Sequence, residues 1–195
     1  MDRKEGKILI IGVGGIGSYL VGLLAKIDRF NITVADPDIV EEKNLSYQNF
    51  GEEDVGKNKA LVMKEYFNLY NASKYPILTK KQLEGYDIVV CCADNLDVRR
   101  LVYRQGFGND ETAWLDLRAQ GRNGALISYL TNGKYSDTFL SGPEGSFSCQ
   151  GEGFNNTRNV ADIHFTHTAI AGMGAQWLQR WFNNERVTDK LVINV

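Results

Sequence analysis

Lys7-Ile8-Leu9-Ile10-Ile11-Gly12-Val13-Gly14-Gly15-Ile16-Gly17 is the stretch from which the fold is read, because the hydrophobic period changes at its glycines. Lys7 to Ile11 is a short apolar-rich run with the character of a buried parallel strand, and Ile16 to Ile27 carries apolar residues at helical spacing. The glycines therefore sit at a strand-to-helix junction. There Gly12 permits the tight turn, Gly14 lets the backbone approach a phosphate, and Gly17 lets the helix pack closely on the sheet. The helix N-terminus adds free N–H groups and a partial positive charge. A second apolar run, Asn31 to Ala35, ends in Asp36. It lies about 20 residues beyond Gly17, where a doubly wound fold places a carboxylate for a ribose hydroxyl. Strand, helix and spaced acid together point to a nucleotide; a merely structural glycine turn is the competing reading.

Outward from this junction the elements alternate. Asp38 to Gly56 is polar and turn-rich, and Lys57 to Tyr70 has Leu61, Val62, Tyr66, Phe67 and Tyr70 at helical spacing. Tyr86 to Cys92 reads as a buried strand, Leu96 to Phe107 as helix, and Thr112 to Leu117 as strand. Ala125 to Thr131 is a further strand with no helix before it, which predicts an antiparallel addition. Thr166 to Phe182 is the last helix and Leu191 to Val195 a short closing strand. The expected fold is α/β: a Rossmann-like, mostly parallel sheet with helices on both faces and antiparallel strands in the C-terminal half. One domain is expected over 1–195, with a long active-site or crossover loop at 132–159, a stretch rich in Gly, Ser, Asn and Asp without sustained period.

Composition excludes other classes. The chain has 195 residues, 43% of them hydrophobic, enough for a sizeable core. Lys plus Arg number 22 against 24 Asp plus Glu, a formal charge of −2, and no basic run marks a nucleic-acid or anionic-membrane surface. No apolar stretch approaches the roughly 20 residues that span a bilayer. Met1 to Gly6 leads into the first strand without a signal peptide's apolar core, and Cys91, Cys92 and Cys149 fit neither a disulfide framework nor a C-x-x-C zinc site. A cytoplasmic setting is the expectation.

Between Asp36 and the second helix lie Asp38, Asn44 and Gln48, on the loop beyond the carboxyl end of the second strand, where open α/β sheets bind ligands. Lys59 follows at the start of the next helix. The diphosphate of a nicotinamide cofactor is served by the glycine turn alone, whereas the triphosphate of ATP brings extra charge that a lysine and hydrogen-bonding amides would meet. Asp94, closing the strand at Tyr86 to Cys92, would face the same crevice, where a carboxylate can hold Mg²⁺ against phosphate oxygens.

In these residues the chain resembles the ThiF/MoeB/HesA adenylyltransferases, relatives of the adenylation domains of ubiquitin-activating enzymes. The family pattern is a glycine turn, D-x-D-x-V, N-L-x-R-Q, V-G-x-x-K, and a D-N pair followed by arginine. It is met by Gly12 to Gly17, Asp36-Pro37-Asp38-Ile39-Val40, Asn44-Leu45-Ser46-Tyr47-Gln48, Val55-Gly56-Lys57-Asn58-Lys59, and Asp94-Asn95 with Arg99 or Arg100. The resemblance implies acyl adenylation: a carboxylate, usually the C-terminal glycine of a small ubiquitin-like or sulfur-carrier protein, attacks ATP and expels pyrophosphate. It implies cofactor binding by Gly12, Gly14, Gly15, Gly17, Asp36, Asp38, Asn44, Gln48, Lys59 and Asn95, with Asp36 on the ribose. Lys59 and Asp94 would be catalytic, with magnesium on Asp94, and a homodimer is implied. Cys149 falls roughly where the sulfur-carrier branch places a reactive cysteine, against the alternative of an ordinary loop thiol. Three departures stand out. Tyr47 replaces the arginine of N-L-x-R-Q and brings no charge. Paired C-x-x-C motifs are absent, so no zinc is expected. Only Arg3 and Lys4 precede the first strand, where members often carry an arginine reaching the neighbouring subunit.

Other polar residues read more plainly. Cys91 and Cys92 end a buried strand and read as structural thiols. His164 and His167 are the only histidines and read as helix-entry packing or capping rather than metal ligands. Arg118 and Arg122 flank the mouth of a strand, either solvated or meeting an incoming carboxylate or phosphate. Two other functional classes remain open at this stage, a nicotinamide-dependent oxidoreductase and a catalytically impaired module of the same fold.

Overall fold

β1 (Gly6–Ile11) is the strand from which the sheet grows in both directions. It pairs in parallel with β2 (Phe30–Ala35) and β4 (Ile88–Cys91), so that Ile11 stands level with both Ala35 and Cys91. The computed structural model describes residues 6–105, 112–131, 149–150 and 163–195. Within these residues one seven-stranded sheet runs in the order β3-β2-β1-β4-β5-β6-β7, with β3 at Asn71–Ser73, β5 at Ala113–Gln120, β6 at Asn123–Ser128 and β7 at Lys190–Asn194. β3 and β5 add in parallel; β6 and β7 are antiparallel. The fold class is the one the sequence predicts.

Four helices cover this sheet: α1 (Gly15–Ala25), α2 (Lys59–Phe67), α3 (Leu96–Gln105) and α4 (Thr166–Phe182). Alternate residues of β1 face opposite cores. Ile8 and Ile10 join Leu20 and Leu24 of α1, Met63 of α2 and Ile170 and Leu178 of α4. Leu9 and Ile11 join Val102 and Tyr103 of α3 and Leu83 of a 3₁₀ turn at Lys80–Leu83. A strand buried on both sides must be apolar throughout, which is why β1 reads as a continuous run. No helix among the described residues is long and apolar enough to cross a membrane.

The boundaries depart from the sequence reading where tertiary bonds decide them. α2 ends at Phe67 rather than Tyr70, because Asn68 adopts φ +48° and its N–H returns to the Lys64 carbonyl. β6 starts two residues earlier than expected and stops at Ser128, whose hydroxyl and N–H meet the Asp189 carbonyl. β3 has only three residues, none large and apolar, and left no period to read. The predicted end of α3, residues 106–107, and the loop at 132–159 except Cys149 and Gln150 lie outside the described residues.

Arg118 requires a correction. It lies within β5 and not in a solvated loop, buried with its Nε and Nη2 at 2.9 and 2.7 Å from Asp116 Oδ2. Arg99 of α3 pairs with the other oxygen of Asp116, and the Tyr103 hydroxyl bonds the same carboxylate. Burial lowers the Arg99 pKa, with Arg118 nearby acting the same way. The cluster ties α3 to β5. It also makes Arg99, not the exposed Arg100, the inward arginine after Asp94-Asn95.

Candidate functional site

The sheet's connections run one way from β1 to β2 and β3, and the other way from β4 to β5. Beyond the paired ends of β1 and β4 the chain leaves toward opposite faces of the sheet, to α1 and to α3, and a crevice opens there. A cleft of about 420 Å³ occupies this switch point. Its walls include Gly12, Gly14 and Gly15 of the turn, Asp36, Asp38, Gln48, Lys59, Asp94, Asn95 and Cys149, so the structure gathers most of the sequence-predicted residues in one place. Pro76, Ile77 and Val98 give it an apolar wall. A wider hollow of about 1020 Å³ lies at the opposite ends of the strands, beside Gly6, Asp87 and Trp181, and contains none of them.

The glycine turn is set by close approach. Gly12 has φ +86°, and a Cβ there would stand 2.8 Å from the Ala93 backbone. A Cβ on Gly17 would stand 2.0 Å from the Gly12 carbonyl oxygen. The Val13 N–H donates to Asp36 Oδ2 at 2.7 Å and the Asp38 N–H to Asp36 Oδ1 at 2.9 Å. Burial raises the Asp36 pKa, while these two N–H donors and the Lys59 charge oppose the rise. Each carboxylate oxygen keeps a lone pair, enough to accept a ribose hydroxyl.

Lys59 is the first residue of α2, and its side chain is buried with the ammonium 3.6 Å from Asp38 Oδ2. Gln48 is buried with its Nε2 3.7 Å from where a Gly14 Cβ would stand, and its Oε1 has no hydrogen-bond partner among the described residues. Asn44 is placed differently. Its Oδ1 accepts the Glu41 N–H at 3.0 Å and its Nδ2 donates to the Tyr47 hydroxyl at 3.4 Å, so it shapes the loop rather than forming a cleft wall. Asn95 does both. It borders the cleft while its Oδ1 caps α3 through the Asp97 and Val98 N–H groups at 2.8 and 3.3 Å.

Cys149 packs over the start of α1; a Cβ on Gly15 would lie 2.9 Å from its Sγ. Desolvation pushes its thiol up to about 11, the Asp94 charge adding to the rise. Desolvation likewise raises the pKa of Cys92, which follows β4 and lines the cleft beside Cys149. Gln150 anchors this corner by two bonds to one backbone unit: its Nε2 donates to the His164 carbonyl at 3.1 Å and its Oε1 accepts the His164 N–H at 2.8 Å. His167 Nδ1 lies 2.9 Å from the same carbonyl, its ring edge-on to Tyr47, and burial lowers its pKa. The histidines thus serve helix entry and packing. No group of three or more His, Cys, Asp or Glu among the described residues could hold a metal by itself.

Sequence reasoning gave no role to Gln150, Asp116 or Asn58. The first two act through tertiary partners invisible in the chain. Asn58 lay inside the run read from Lys57, and an asparagine near the head of a helical run is the N-cap signal that would have started the helix at Lys59.

A doubly wound α/β protein with a glycine turn, a buried acid and a lysine converging at its switch point is the class these features define. The chain belongs to the ThiF family, whose model matches residues 2–193. It is 32% identical over 111 residues to the adenylyltransferase and sulfurtransferase UBA4 of Yarrowia lipolytica, covering 52% of this chain and 28% of that protein. To the NEDD8-activating enzyme E1 catalytic subunit of Caenorhabditis elegans it is 34% identical over 105 residues, 49% of this chain and 24% of that protein. Among solved structures, Escherichia coli MccB superposes with a TM-score of 0.74 at 21% identity, covering 99% of this chain and 60% of that one. PaaA does so with a TM-score of 0.72 at 17% identity, covering 99% and 62%.

Proposed function

We propose that this chain is an ATP-dependent adenylyltransferase that activates the C-terminal glycine of a small ubiquitin-like or sulfur-carrier protein as an acyl adenylate, releasing pyrophosphate. The observation that carries this reading is the meeting of the glycine turn, Asp36, Lys59 and Asp94 in one cleft. A diphosphate cofactor would leave Lys59 and Asp94 without a task; a triphosphate uses both. The names of the relatives, an adenylyltransferase and a ubiquitin-like-protein-activating enzyme, support the same class.

In this reading the ribose lies on Asp36, the base meets the wall of Pro76, Ile77 and Val98, and the phosphates meet the α1 N-terminus. A carboxylate oxygen of the substrate attacks the α-phosphorus, the bond to the bridging oxygen breaks, and pyrophosphate leaves with the electron pair. The protein positions the reactants and offsets charge, the ammonium of Lys59 facing the phosphates. A lone carboxylate at the phosphate end fits Mg²⁺, which takes one or two carboxylates together with phosphate oxygens and water. When bound, the ion supplies neutralisation of phosphate charge. Gln48, Asp38 and Asn95 complete the cofactor contacts, with Asn44 acting through Tyr47. Cys149 is the candidate acceptor of the acyl group; it is protonated at neutral pH and must lose its proton to act. We further propose a cytoplasmic homodimer, testable by light scattering on the purified protein.

Calorimetric titration of Mg²⁺-ATP, and separately of NAD⁺, into wild type and Asp94→Ala tests the reading. ATP should bind wild type, bind the variant about tenfold or more weakly, and NAD⁺ should give no heat. NAD⁺ binding alone would move the protein to redox chemistry, and silence from both would leave an inactive module.

A further inference from the structure

Asp36 and Lys59 must act on one nucleotide, yet they come from different elements, the end of β2 and the start of α2. We propose that Asn58 is the positioning residue that holds them in register, an inference that rests on the ATP reading of the cleft. Its carboxamide is used at both ends. Oδ1 accepts the Leu61 N–H at 3.1 Å and so caps α2. Nδ2 lies 2.9 Å from the Asp36 carbonyl oxygen and 2.9 Å from the Asp38 carbonyl oxygen, so its two N–H groups brace both acidic residues of the D-P-D turn from behind. The Lys59 N–H joins at the Asp38 carbonyl, also at 2.9 Å, and the Val40 N–H meets the Lys57 carbonyl at 2.8 Å. Asp36 is fixed from the opposite side by Val13 of the glycine turn. An unbroken path of hydrogen bonds thus runs from the phosphate turn through Asp36 and Asn58 to the residue that carries the ammonium.

Capping alone does not require this residue. Serine and aspartate cap as well as asparagine, but neither supplies two N–H donors. The brace sets where the first turn of α2 stands relative to Asp36. Lys59 is buried with its ammonium 3.6 Å from Asp38 Oδ2, so a shift of that turn moves the ammonium relative to the phosphates.

The test is calorimetric titration of Mg²⁺-ATP into wild type, Asn58→Ser, Lys59→Met and the double variant. Serine keeps the cap and gives up the two Nδ2 bonds, so Asn58→Ser should have a lower thermal midpoint than wild type and still be folded at the titration temperature. Its ATP affinity should fall about tenfold in the wild-type background and no further in the Lys59→Met background, as for two residues acting through one contact. Wild-type affinity in Asn58→Ser, or an equal loss in both backgrounds, would overturn the proposal. Were Asn58→Ser not to fold, Asn58→Thr, which also caps and adds no charge, is read in the same way. Failure of folded wild type to bind ATP removes the nucleotide reading and this inference with it. Binding by wild type with indifference to Asn58→Ser removes the inference alone.

Discussion

At the scale of single residues the site sets exposed groups, Asp38, Asp94 and Asn95, beside groups held away from water, Asp36, Gln48 and Lys59, and burial raises the pKa of Asp36 among the latter. Cys149 gives the sharpest consequence. Its thiol is pushed up to about 11 by desolvation, with the Asp94 carboxylate adding to the rise. The thiolate is the reactive form, so its population at neutral pH is a few hundred-fold below that of a free thiol with a pKa near 8.5. Alkylation of Cys149 by N-ethylmaleimide should accordingly be slower by about that factor than in the unfolded chain. It should gain about tenfold per pH unit through pH 9 without levelling off. Peptide mapping against Cys149→Ser separates it from Cys91 and Cys92. A rate that levels off near pH 8 would mean an activated thiol, and would make Cys149 a resting nucleophile rather than one that waits for a base.

Elements are joined here by contacts too close for ordinary side chains, and glycines mark where. Gly17 places the first turn of α1 against the carbonyl of Gly12; a Cβ there would stand 2.0 Å from that oxygen, which no rotamer can relieve. Gly172 is the contrast, a helical glycine of α4 with nothing within 4 Å of its absent Cβ. Gly17→Ala should cost on the order of 3 kcal/mol as the turn is forced open, whereas Gly172→Ala should stabilise by about 0.4–1 kcal/mol. Urea denaturation of both variants checks the pair, and equal effects would mean that the turn is looser than its geometry. The difference also bears on how far the elements were legible. Gly17 could be read because the strand-to-helix motif fixes its task locally. The Arg99–Asp116–Arg118 cluster could not, because Arg99 and Tyr103 come from α3 and the other two from β5. Within β5 the spacing of Asp116 and Arg118 puts them on one face, but a strand read as ending at Leu117 left Arg118 outside it.

For the whole molecule, the doubly wound class of the sheet and the edge that carries the cleft were both legible, since alternating apolar strands and helices dictate such a sheet and it opens where its connections reverse. The strand order, with β3 at its edge, was not. Asp36 and Lys59, from the β2 and α2 side, and Asp94 and Asn95, from the β4 and α3 side, meet in the cleft as read. Less legible was how Cys149 is held there, beside a Gln150 that bonds the His164 backbone ahead of α4. That last contact rests on one glutamine in a stretch without period. A nucleotide in this cleft would touch both halves of the sheet at once, so its binding energy should stabilise the fold as a unit and not one corner of it. At Mg²⁺-ATP about 100 times its dissociation constant, linkage adds about 2.7 kcal/mol to unfolding. At about 2–4 °C per kcal/mol for a chain of this size, the thermal midpoint should rise by roughly 5–11 °C. Asp36→Ala, which removes the proposed ribose acceptor and unpairs the Val13 N–H, should lose most of that rise, and NAD⁺ at the same concentration should produce none. Differential scanning fluorimetry measures all three. A rise with NAD⁺ equal to that with ATP would show that Lys59 and Asp94 do not select the triphosphate, while an ATP-induced rise unchanged by Asp36→Ala would place the nucleotide somewhere other than the switch point.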